Sequence, residues 1–388
     1  MKNKAIWIEI QILPNDIFRF KKDKKLNYKE TLYFIAKCLT IFLEDKNRQE
    51  IEKQLKSKSI DWDAIVKVST SHYVFPALYC NLKRVDFLHY LPEELFSYME
   101  YITNINRGRN EQIINQAKEL NTLLLANNIT PIFLKGTGNL LAGLYEDIAE
   151  RMVGDIDFLF SKEDYPKVIS VLTKNRYSFV DKIPYELDFR HYPRLKKEDN
   201  IAAVEIHKQV IDIKKNTHEF NFSFLNKDSQ LINGFAVLSY VNKLNLSIIS
   251  NQINDNGFLY KTMPLRNAYD VFLLSKKTNA KAAVNMLDKL TNPLNCFLAA
   301  CYEVFNKVDS LEYNPTIEVD SYLRDFKLYI LNNERKNMRY IKFYITVNSW
   351  LFILYKSIFH KGYRFYIFKC IIDKNWYTQK LIQLGIKK

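Results

Sequence analysis

Apolar residues between positions 28 and 126 recur at intervals of three and four, which is the spacing of an amphipathic helix. The segment NYKETLYFIAKCLTIFLED shows this spacing first. The segment LPEELFSYMEYITNINRGRNEQIINQAKELNTLLLANN predicts one long helix, with Pro92 near its start and Asn127 near its end. The pattern therefore predicts an N-terminal helical region, which we place at residues 1–127.

After residue 128 the period changes, and short apolar segments typical of strands alternate with helical ones. Five segments are predicted to be strands: PIFL (131–134), MVGDIDFLF (152–160), RYSFVD (176–181), YELDFRHY (185–192) and IAAVEIHKQV (201–210). Between them, GTGNLLAGLY (136–145) predicts a turn that enters a helix. SKEDYPKVISVLTKN (161–175) predicts a helix with Ser161 as its N-cap, paired with Asp164 in a relaxed capping box.

The pattern becomes helical again from residue 235, in segments such as AVLSYVNKLNLSIISNQI and PLRNAYDVFLLSKK. Helices followed by a small mixed unit and then by further helices predict the α+β class. We place the mixed-sheet core at residues 128–234 and a helical region at residues 235–310. Residues 311–388 form a C-terminal region rich in basic and aromatic residues.

The composition limits the class of protein further. A chain of 388 residues, 47% of them hydrophobic, can form two or three packed units with a large core. Nine glycines and ten prolines are too few for an all-β fold rich in tight turns. The five cysteines are scattered without a CxxC pair, and acidic residues interrupt the apolar segment near the start. These features predict a cytoplasmic protein with reduced thiols.

The positive charge is concentrated towards the C-terminal end. The whole chain carries +14, and residues 331–388 contain twelve Lys and Arg against two acids, a net charge of +10. Aromatic residues are interleaved with these bases, and the longest uncharged segment, Phe343–Tyr355, is too short to span a bilayer. The simplest interpretation is a helical core segment with a solvated basic face. Two alternatives stay open: contact with RNA, such as a tRNA acceptor, and peripheral attachment to an anionic membrane surface.

Acidic side chains interrupt the predicted strands. Asp155 and Asp157 are separated by one residue, so they lie on one face of their strand. Half-buried carboxylates on one face repel each other and lose hydration unless a cation binds between them. Glu205 in a later strand offers a third carboxylate, with Glu186 and Asp188 as alternatives. This pattern predicts a divalent-metal site that holds two Mg²⁺ ions, with Mn²⁺ as an alternative.

Two further features accompany these acids. The segment LKGTG lies between a predicted strand and a predicted helix, where backbone N–H groups can bind phosphate. His207 follows Glu205 by two residues and so shares its face of the strand. It either contacts the metal ligands or the substrate, or it is a structural histidine.

The segments FLKGTGNLLAGLY, ERMVGDIDFLF, YPKVISVLTKNRYSFV and AVEIH, in this order, resemble the uncharacterised nucleotidyltransferase family. This family belongs to the DNA polymerase β-like nucleotidyltransferase superfamily, and the resemblance covers roughly residues 55–280. It implies the nucleotidyltransferase fold, with a mixed-sheet core and flanking helical segments. It also implies that Asp155 and Asp157 are the metal-binding pair and that Glu205 is the third carboxylate or the base that activates the acceptor.

The same resemblance implies roles for basic and small residues. Gly136 and Thr137 match the Gly-Ser turn that cradles the triphosphate, with Thr in place of Ser. Lys135 and Arg151 match basic positions that contact phosphate. The alternatives are that Lys135 extends to solvent and that Arg151 forms a surface ion pair with Glu146 or Glu150. Arg266 and Asp270 match a helical pair without an assigned role, for which their spacing predicts an ordinary ion pair.

These residues together predict Mg²⁺-dependent transfer of a nucleoside monophosphate from an NTP to an unidentified hydroxyl or phosphate acceptor, with release of pyrophosphate. Three alternatives remain at this level. The first is a toxin-like enzyme that modifies tRNA, and the second is an enzyme that acts on a small molecule or glycan precursor near the membrane. The third is a non-catalytic nucleotide-binding protein of the same fold.

Overall fold

The computed structural model describes residues 27–57, 60–180, 190–211, 220–332, 335–373 and 376–378. The fold contains a seven-stranded mixed sheet. Helices that precede the first strand and helices that follow the last strand in the sequence flank this sheet. One continuous hydrophobic cluster runs from Leu32 to Ile330 and joins these helices to the sheet. The predicted α+β class is confirmed.

Five helices precede the sheet: α1 (Tyr28–Cys38), α2 (Asp45–Lys56), α3 (Trp62–Ser71), α4 (Phe75–Arg84) and α5 (Glu93–Leu125). A capping box between Asn27 and Glu30 begins α1, because each side chain accepts a hydrogen bond from the other residue's backbone N–H. The predicted long helix is confirmed as α5, which Pro92 precedes as the N-cap residue.

Amide side chains on α5 hold the chain segments that enter the central strands. Asn110 Nδ2 donates to the carbonyl oxygen of Arg151 at 2.7 Å, and Asn106 Nδ2 donates to that of Ala149 at 2.7 Å. Gln116 Nε2 donates to the carbonyl oxygen of Ala202 at 2.9 Å. These buried bonds satisfy backbone groups that would otherwise be left unpaired, so α5 fixes where two neighbouring strands begin.

The sheet has the strand order β3-β4-β5-β2-β1-β7-β6. Its strands are β1 (Ile132–Phe133), β2 (Asp155–Leu159), β3 (Ser178–Phe179), β4 (Leu195–Lys196), β5 (Ala203–His207), β6 (Gln230–Ile232) and β7 (Phe235–Val237). The central strand β2 pairs parallel with β5 on one side and antiparallel with β1 on the other. The register of β2 and β5 sets Asp155 opposite Ala203, and Asp157 opposite Glu205.

The prediction of helix from residue 235 was wrong at its start. Strands β6 and β7 form a hairpin around Asn233 and Gly234, whose φ angles are 50° and 80°. Positive φ at both central residues is what a two-residue hairpin turn needs, and Asn-Gly is its strongest sequence signal. Because β7 also pairs parallel with β1, the sheet continues past residue 234.

Two other boundaries differ from the pattern. Ser161 and Asp164 are hydrogen-bonded as the capping box predicts, but the next helix begins at Tyr165, so Ser161 lies in the preceding turn. Of the segment RYSFVD, the described residues 176–180 contain the short β3. Most of YELDFRHY lies outside the described residues, and of its last residues His191 forms an isolated bridge with His207.

Eleven helices of the described chain follow β1: α6 (Lys135–Leu141), α7 (Tyr165–Lys174), α8 (Phe222–Lys227), α9 (Tyr240–Ile249), α10 (Gly257–Tyr260), α11 (Leu265–Ser275), α12 (Ala280–Val284), α13 (Thr291–Val304), α14 (Ile317–Asn332), α15 (Arg335–Phe359) and α16 (Lys361–Ile372). The helices α9 and α11 pack against each other, and α15 packs against α16. Within the described ranges, no helix combines the length and apolarity needed to cross a membrane.

Candidate active site

The helix α6 follows β1 directly and contains the LKGTG segment at its start. A turn was predicted before this helix, but the helix begins at Lys135, whose φ of 49° accommodates the change in chain direction. Gly138 is required for the packing, because a Cβ there would lie 2.5 Å from the carbonyl oxygen of Phe133. The close approach of α6 to β1 sets Lys135 beside strand β2.

Asp157, Glu205 and His207 meet on one face of the sheet. One potential ligand atom from each of the three lies within 4.8 Å of the other two. The Lys135 ammonium lies 2.5 Å from Asp157 Oδ1 and 3.5 Å from Glu205 Oε2. A single positive charge therefore contacts both carboxylates. The structure brings the predicted Asp157, Glu205 and Lys135 together although they come from three separate elements.

His207 belongs to the same group, which its sequence position alone left open. Its Nε2 lies 2.9 Å from Asp157 Oδ1 and 3.4 Å from Glu205 Oε2, and the ring is buried. Its Nδ1 lies 3.4 Å from the carbonyl oxygen of Gln209. Without an ion, Nε2 carries a proton towards the two carboxylates. When a cation replaces that proton, the Gln209 carbonyl can hold the remaining imidazole proton on Nδ1, and Nε2 can then act as a metal ligand. The spacing of two residues from Glu205 was the sequence signal for this contact.

The charges of this group shift one another's pKa values. Burial would raise the pKa of Glu205, but the hydrogen bond from His207 and the charge of Lys135 hold it well below its usual range. Burial would lower the pKa of Lys135, but Asp157 and Glu205 raise it above the ordinary value. The Lys135 ammonium and the Glu205 carboxylate are therefore charged together, in a cluster that is largely shielded from water.

Asp155 faces the same cluster without being part of its close contacts. Burial, followed by repulsion from Glu205 and Asp157, raises the pKa of Asp155 to about 6. The charges of Arg194 and Lys135 act in the opposite direction. Because negative charge exceeds positive charge around Asp155, an additional cation would be attracted to this position.

Arg151 lies in a different environment from the one predicted. Its guanidinium is buried, with Nη2 3.0 Å from Asp270 Oδ2, and Nη1 donates to the carbonyl oxygen of Met152 at 3.0 Å. Tyr145 also donates to Asp270, at 2.7 Å. Arg151 thus links the chain before β2 to α11, and its contact with phosphate stays a prediction. The prediction of an ion pair between Arg266 and Asp270 was wrong, because Asp270 binds Arg151 instead.

Glu150, which precedes Arg151 in the sequence, has other partners. Glu150 is buried and forms an ion pair with Arg84 and accepts a hydrogen bond from Tyr269. Glu150 also closes a capping box with Asp147. The alternative pairing of Arg151 with Glu150 was therefore wrong.

Gly136 and Thr137 are both buried in α6. The Thr137 hydroxyl donates to the carbonyl oxygen of Asp155 at 3.0 Å, which ties α6 to the start of β2. A Cβ at Gly136 would lie 3.0 Å from Val153 Cγ2, so this position also favours the smallest side chain. Their predicted contact with triphosphate is untested, and the rival acids Glu186 and Asp188 lie outside the described residues.

A cavity of about 260 Å³ lies between α1, the end of α3 and the start of α11. Its charged lining residues are Asp255, Lys261 and Arg266. Burial raises the pKa of Asp255, while the charges of Arg190, Lys135 and Arg266 act in the opposite direction. Asp255 is thus within electrostatic range of Lys135 in the cluster and of Arg266 in the cavity lining.

Among the described residues, two basic side chains each have a buried nitrogen atom without a hydrogen-bond partner. Arg266 Nε has none, and its guanidinium lies 5.0 Å from the centre of the Tyr73 ring. Lys243 Nζ has none either, and burial lowers the pKa of Lys243 to about 8. Lys243 lies on α9, which packs against α6. The sequence pattern gave no reason to select Lys243, which is a single lysine in a segment of apolar and uncharged polar residues.

A mixed sheet with acids on neighbouring parallel strands, beside a short helix that follows the first strand, defines a protein of the nucleotidyltransferase fold. A family model described as "Uncharacterised nucleotidyltransferase" matches residues 58–305, which is well over half of the chain. The chain belongs to this family and is a nucleotidyltransferase. No curated protein and no solved structure is detectably similar to it.

Proposed function

We propose that the protein transfers a nucleoside monophosphate from an NTP to a hydroxyl or phosphate acceptor and releases pyrophosphate, with divalent metal held by the acidic cluster. The observation that carries this proposal is the convergence of Asp157, Glu205 and His207 around the Lys135 ammonium. Buried acids grouped in this way need a cation, and hard divalent cations take carboxylate oxygens as ligands.

The residues fit a divalent ion by the chemistry of their donor atoms. Asp157 and Glu205 offer oxygen, and His207 offers nitrogen. The Lys135 ammonium, in contact with both carboxylates, stands where positive charge is needed. Asp155 would hold a second ion together with Asp157. When bound, such ions offset the charge of the triphosphate and of the leaving pyrophosphate.

The ligand set also bears on which ion is used. Mg²⁺ prefers an all-oxygen environment, whereas imidazole suits Mn²⁺ better. We therefore propose Mg²⁺ as the ion used in cells, by its abundance, and Mn²⁺ as an ion that the isolated protein accepts at least as well. Glu205, with its depressed pKa, is better suited to be a ligand than a proton acceptor.

Lys135 and Lys243 are the groups that we assign to the triphosphate. When a cation takes over the charge of Asp157 and Glu205, the Lys135 ammonium no longer needs both carboxylates and can contact phosphate. Lys243 has a buried Nζ without a partner among the described residues, and a phosphate oxygen would satisfy it. Thr137 would position the strand rather than the substrate, because its hydroxyl binds the carbonyl oxygen of Asp155.

We assign the cavity lined by Asp255, Lys261 and Arg266 to the acceptor. Lys135, Gly136 and Thr137 are not among its lining residues, so it is separate from the predicted triphosphate site. Arg266 offers a buried donor, and Lys261 lies 4.7 Å and 4.6 Å from the rings of Phe258 and Tyr322. Arg266→Gln is expected to weaken the use of acceptor more than the use of NTP.

Incubation with NTPs labelled at the α-phosphate, in a cell extract with Mg²⁺ or Mn²⁺, tests the proposed function. Transfer of label to RNA, to a lipid or to a small molecule identifies the acceptor class. Asp157→Asn should lower transfer by roughly a thousandfold, because it removes a metal ligand. The exposed Asp199→Asn is the control and should retain activity. Equal activity of both variants, or absence of transfer with every NTP, contradicts the proposal.

A further inference from the structure

The helix α15 has an apolar face that no other described element covers. Eight of its large apolar side chains recur at intervals of three and four residues, which is the spacing of one helix face. Their exposed fractions range from 39% to 74%. We call this set the apolar stripe; its members are Tyr340, Phe343, Tyr344, Val347, Leu351, Leu354, Tyr355 and Ile358. A stripe of this kind normally packs into a core, and here it faces solvent.

The helix α16 packs back on α15 and extends the exposed apolar surface. Trp350 stacks on Tyr366 with ring centres 6.3 Å apart. Arg364 Nη1 donates to the carbonyl oxygens of Ser357 and Ile358 at the end of α15. Four further large apolar side chains of α16 are exposed: Phe365, Phe368, Ile371 and Ile372. The two helices therefore form a hairpin whose outer side is apolar.

The charge of this hairpin has one sign. Residues 335–372 contain eight Lys and Arg and no Asp or Glu. Lys361 and Arg364 are exposed and fall at helical spacing from Phe365 and Phe368. A surface that combines exposed apolar side chains with bases alone requires a partner that is both apolar and anionic.

Three kinds of partner meet these side chains differently. RNA is anionic and stacks on aromatic rings, but the aliphatic Val347, Leu351, Leu354 and Ile358 offer no stacking surface to a base. A second copy of the chain would cover the stripe, but it would bring eight bases against eight bases. An anionic lipid bilayer accepts aliphatic and aromatic side chains at the acyl boundary and bases at the headgroups.

We propose that α15 and α16 bind the protein to the surface of an anionic lipid bilayer. The apolar stripe enters the headgroup–acyl boundary with the axis of α15 along the membrane plane. The bases contact the negatively charged headgroups, so the attachment weakens as salt concentration rises. This interaction is independent of the catalytic cluster, and Asp157→Asn should leave it unchanged.

Co-sedimentation of the full-length protein with vesicles tests the proposal. The vesicles contain either phosphatidylcholine alone or phosphatidylcholine mixed with phosphatidylglycerol. The stripe variant carries Leu351→Glu and Ile358→Glu. The control carries Leu231→Glu and Ile317→Glu, which are 77% and 84% exposed and lie on β6 and at the start of α14. Both variants remove two exposed apolar side chains and add two negative charges, and circular dichroism verifies that both are folded.

The wild-type protein and the control should bind vesicles with phosphatidylglycerol more tightly than vesicles without it. The stripe variant should bind them roughly a hundredfold more weakly, because two apolar side chains no longer enter the bilayer. Failure of the wild-type protein to bind, or equal binding of stripe and control variants, overturns the proposal. The proposal is also overturned if a labelled RNA binds the wild-type protein but not the stripe variant, while the two proteins bind vesicles equally.

Discussion

Asp157 and Glu205 lie directly opposite each other on two neighbouring parallel strands, and one ammonium group contacts both. This relationship follows from the register of β2 with β5 and from the close packing of α6 on β1. Without the positive charge, two largely buried carboxylates would repel each other at short range. In the metal-free protein, the Lys135 ammonium therefore offsets the repulsion between these two carboxylates.

Lys135→Met should destabilise the metal-free protein by about 2 kcal/mol, because it leaves two buried carboxylates without a cation. This cost is smaller than that of breaking a fully buried ion pair, because the Lys135 side chain is partly exposed to solvent. Divalent metal should restore much of this loss, since the ion then supplies the charge. Urea denaturation in chelator and in Mg²⁺ or Mn²⁺ measures both effects. A variant whose stability does not respond to metal would argue against ligation by Asp157 and Glu205.

His207→Ala should reduce the binding of Mn²⁺ by roughly 10- to 100-fold and that of Mg²⁺ by less, because imidazole nitrogen is a better ligand for Mn²⁺. Calorimetric titration of each ion into the wild-type protein and the variant gives the comparison. His191→Ala is a matched control, since the His191 ring lies 5.2 Å from that of His207 but is not one of the three grouped ligands. A loss of Mn²⁺ binding in His207→Ala no larger than that in His191→Ala would place His207 outside the ligand set.

Gly138→Ala should lower the free energy of unfolding by about 2 kcal/mol, because its methyl group would meet the carbonyl oxygen of Phe133 at 2.5 Å. Gly108→Ala, within α5, should stabilise the protein by about 0.5–1 kcal/mol, since nothing lies within 4 Å of its Cβ and alanine favours helix. Thermal denaturation of both variants measures this difference in sign. Similar effects of the two substitutions would show that α6 does not pack tightly on β1.

The stability of the protein should fall as the pH drops from about 6.5 towards 4, partly through His72. Burial lowers the pKa of His72 to about 4, and Nδ1 accepts a hydrogen bond from the backbone N–H of Leu265 at 3.0 Å. The unfolded chain binds the proton more readily than the folded one, so acid favours unfolding. His72→Gln should reduce this pH-dependent loss by on the order of 2 kcal/mol. Urea denaturation across this pH range, with both proteins, measures the difference.

The fold was predictable where local signals were strong. The long helix α5 carries an apolar period over 33 residues, and β2 lies in an apolar segment that Asp155 and Asp157 interrupt. The hairpin of β6 and β7 was missed because three-residue strands carry almost no period, although the Asn233–Gly234 turn marks it. The start of α6 was misplaced because Lys135 has a positive φ where α6 packs on β1. Lysine rarely adopts positive φ, so the residue type gives no signal for a helix start at this position.

The site was predictable in its acids and less so in its basic residues. Carboxylates inside apolar strands are costly, so Asp155, Asp157 and Glu205 were visible as exceptions. The functional basic residues do not interrupt an apolar strand in this way, so the sequence pattern does not single them out. Arg151 matches a phosphate-binding position in the family pattern, yet here it binds Asp270, which is 119 residues away in the sequence.

The sequence by itself determined the fold class and the set of acidic residues, because periodicity and misplaced charge are properties of local segments. Only the tertiary structure decided which partners those charges have. The register of β2 with β5 puts Asp157 opposite Glu205, and the packing of α6 brings Lys135 between them. Electrostatic interactions depend on distance in space, and residues 135, 157 and 205 acquire their distances only when strands and helix are assembled.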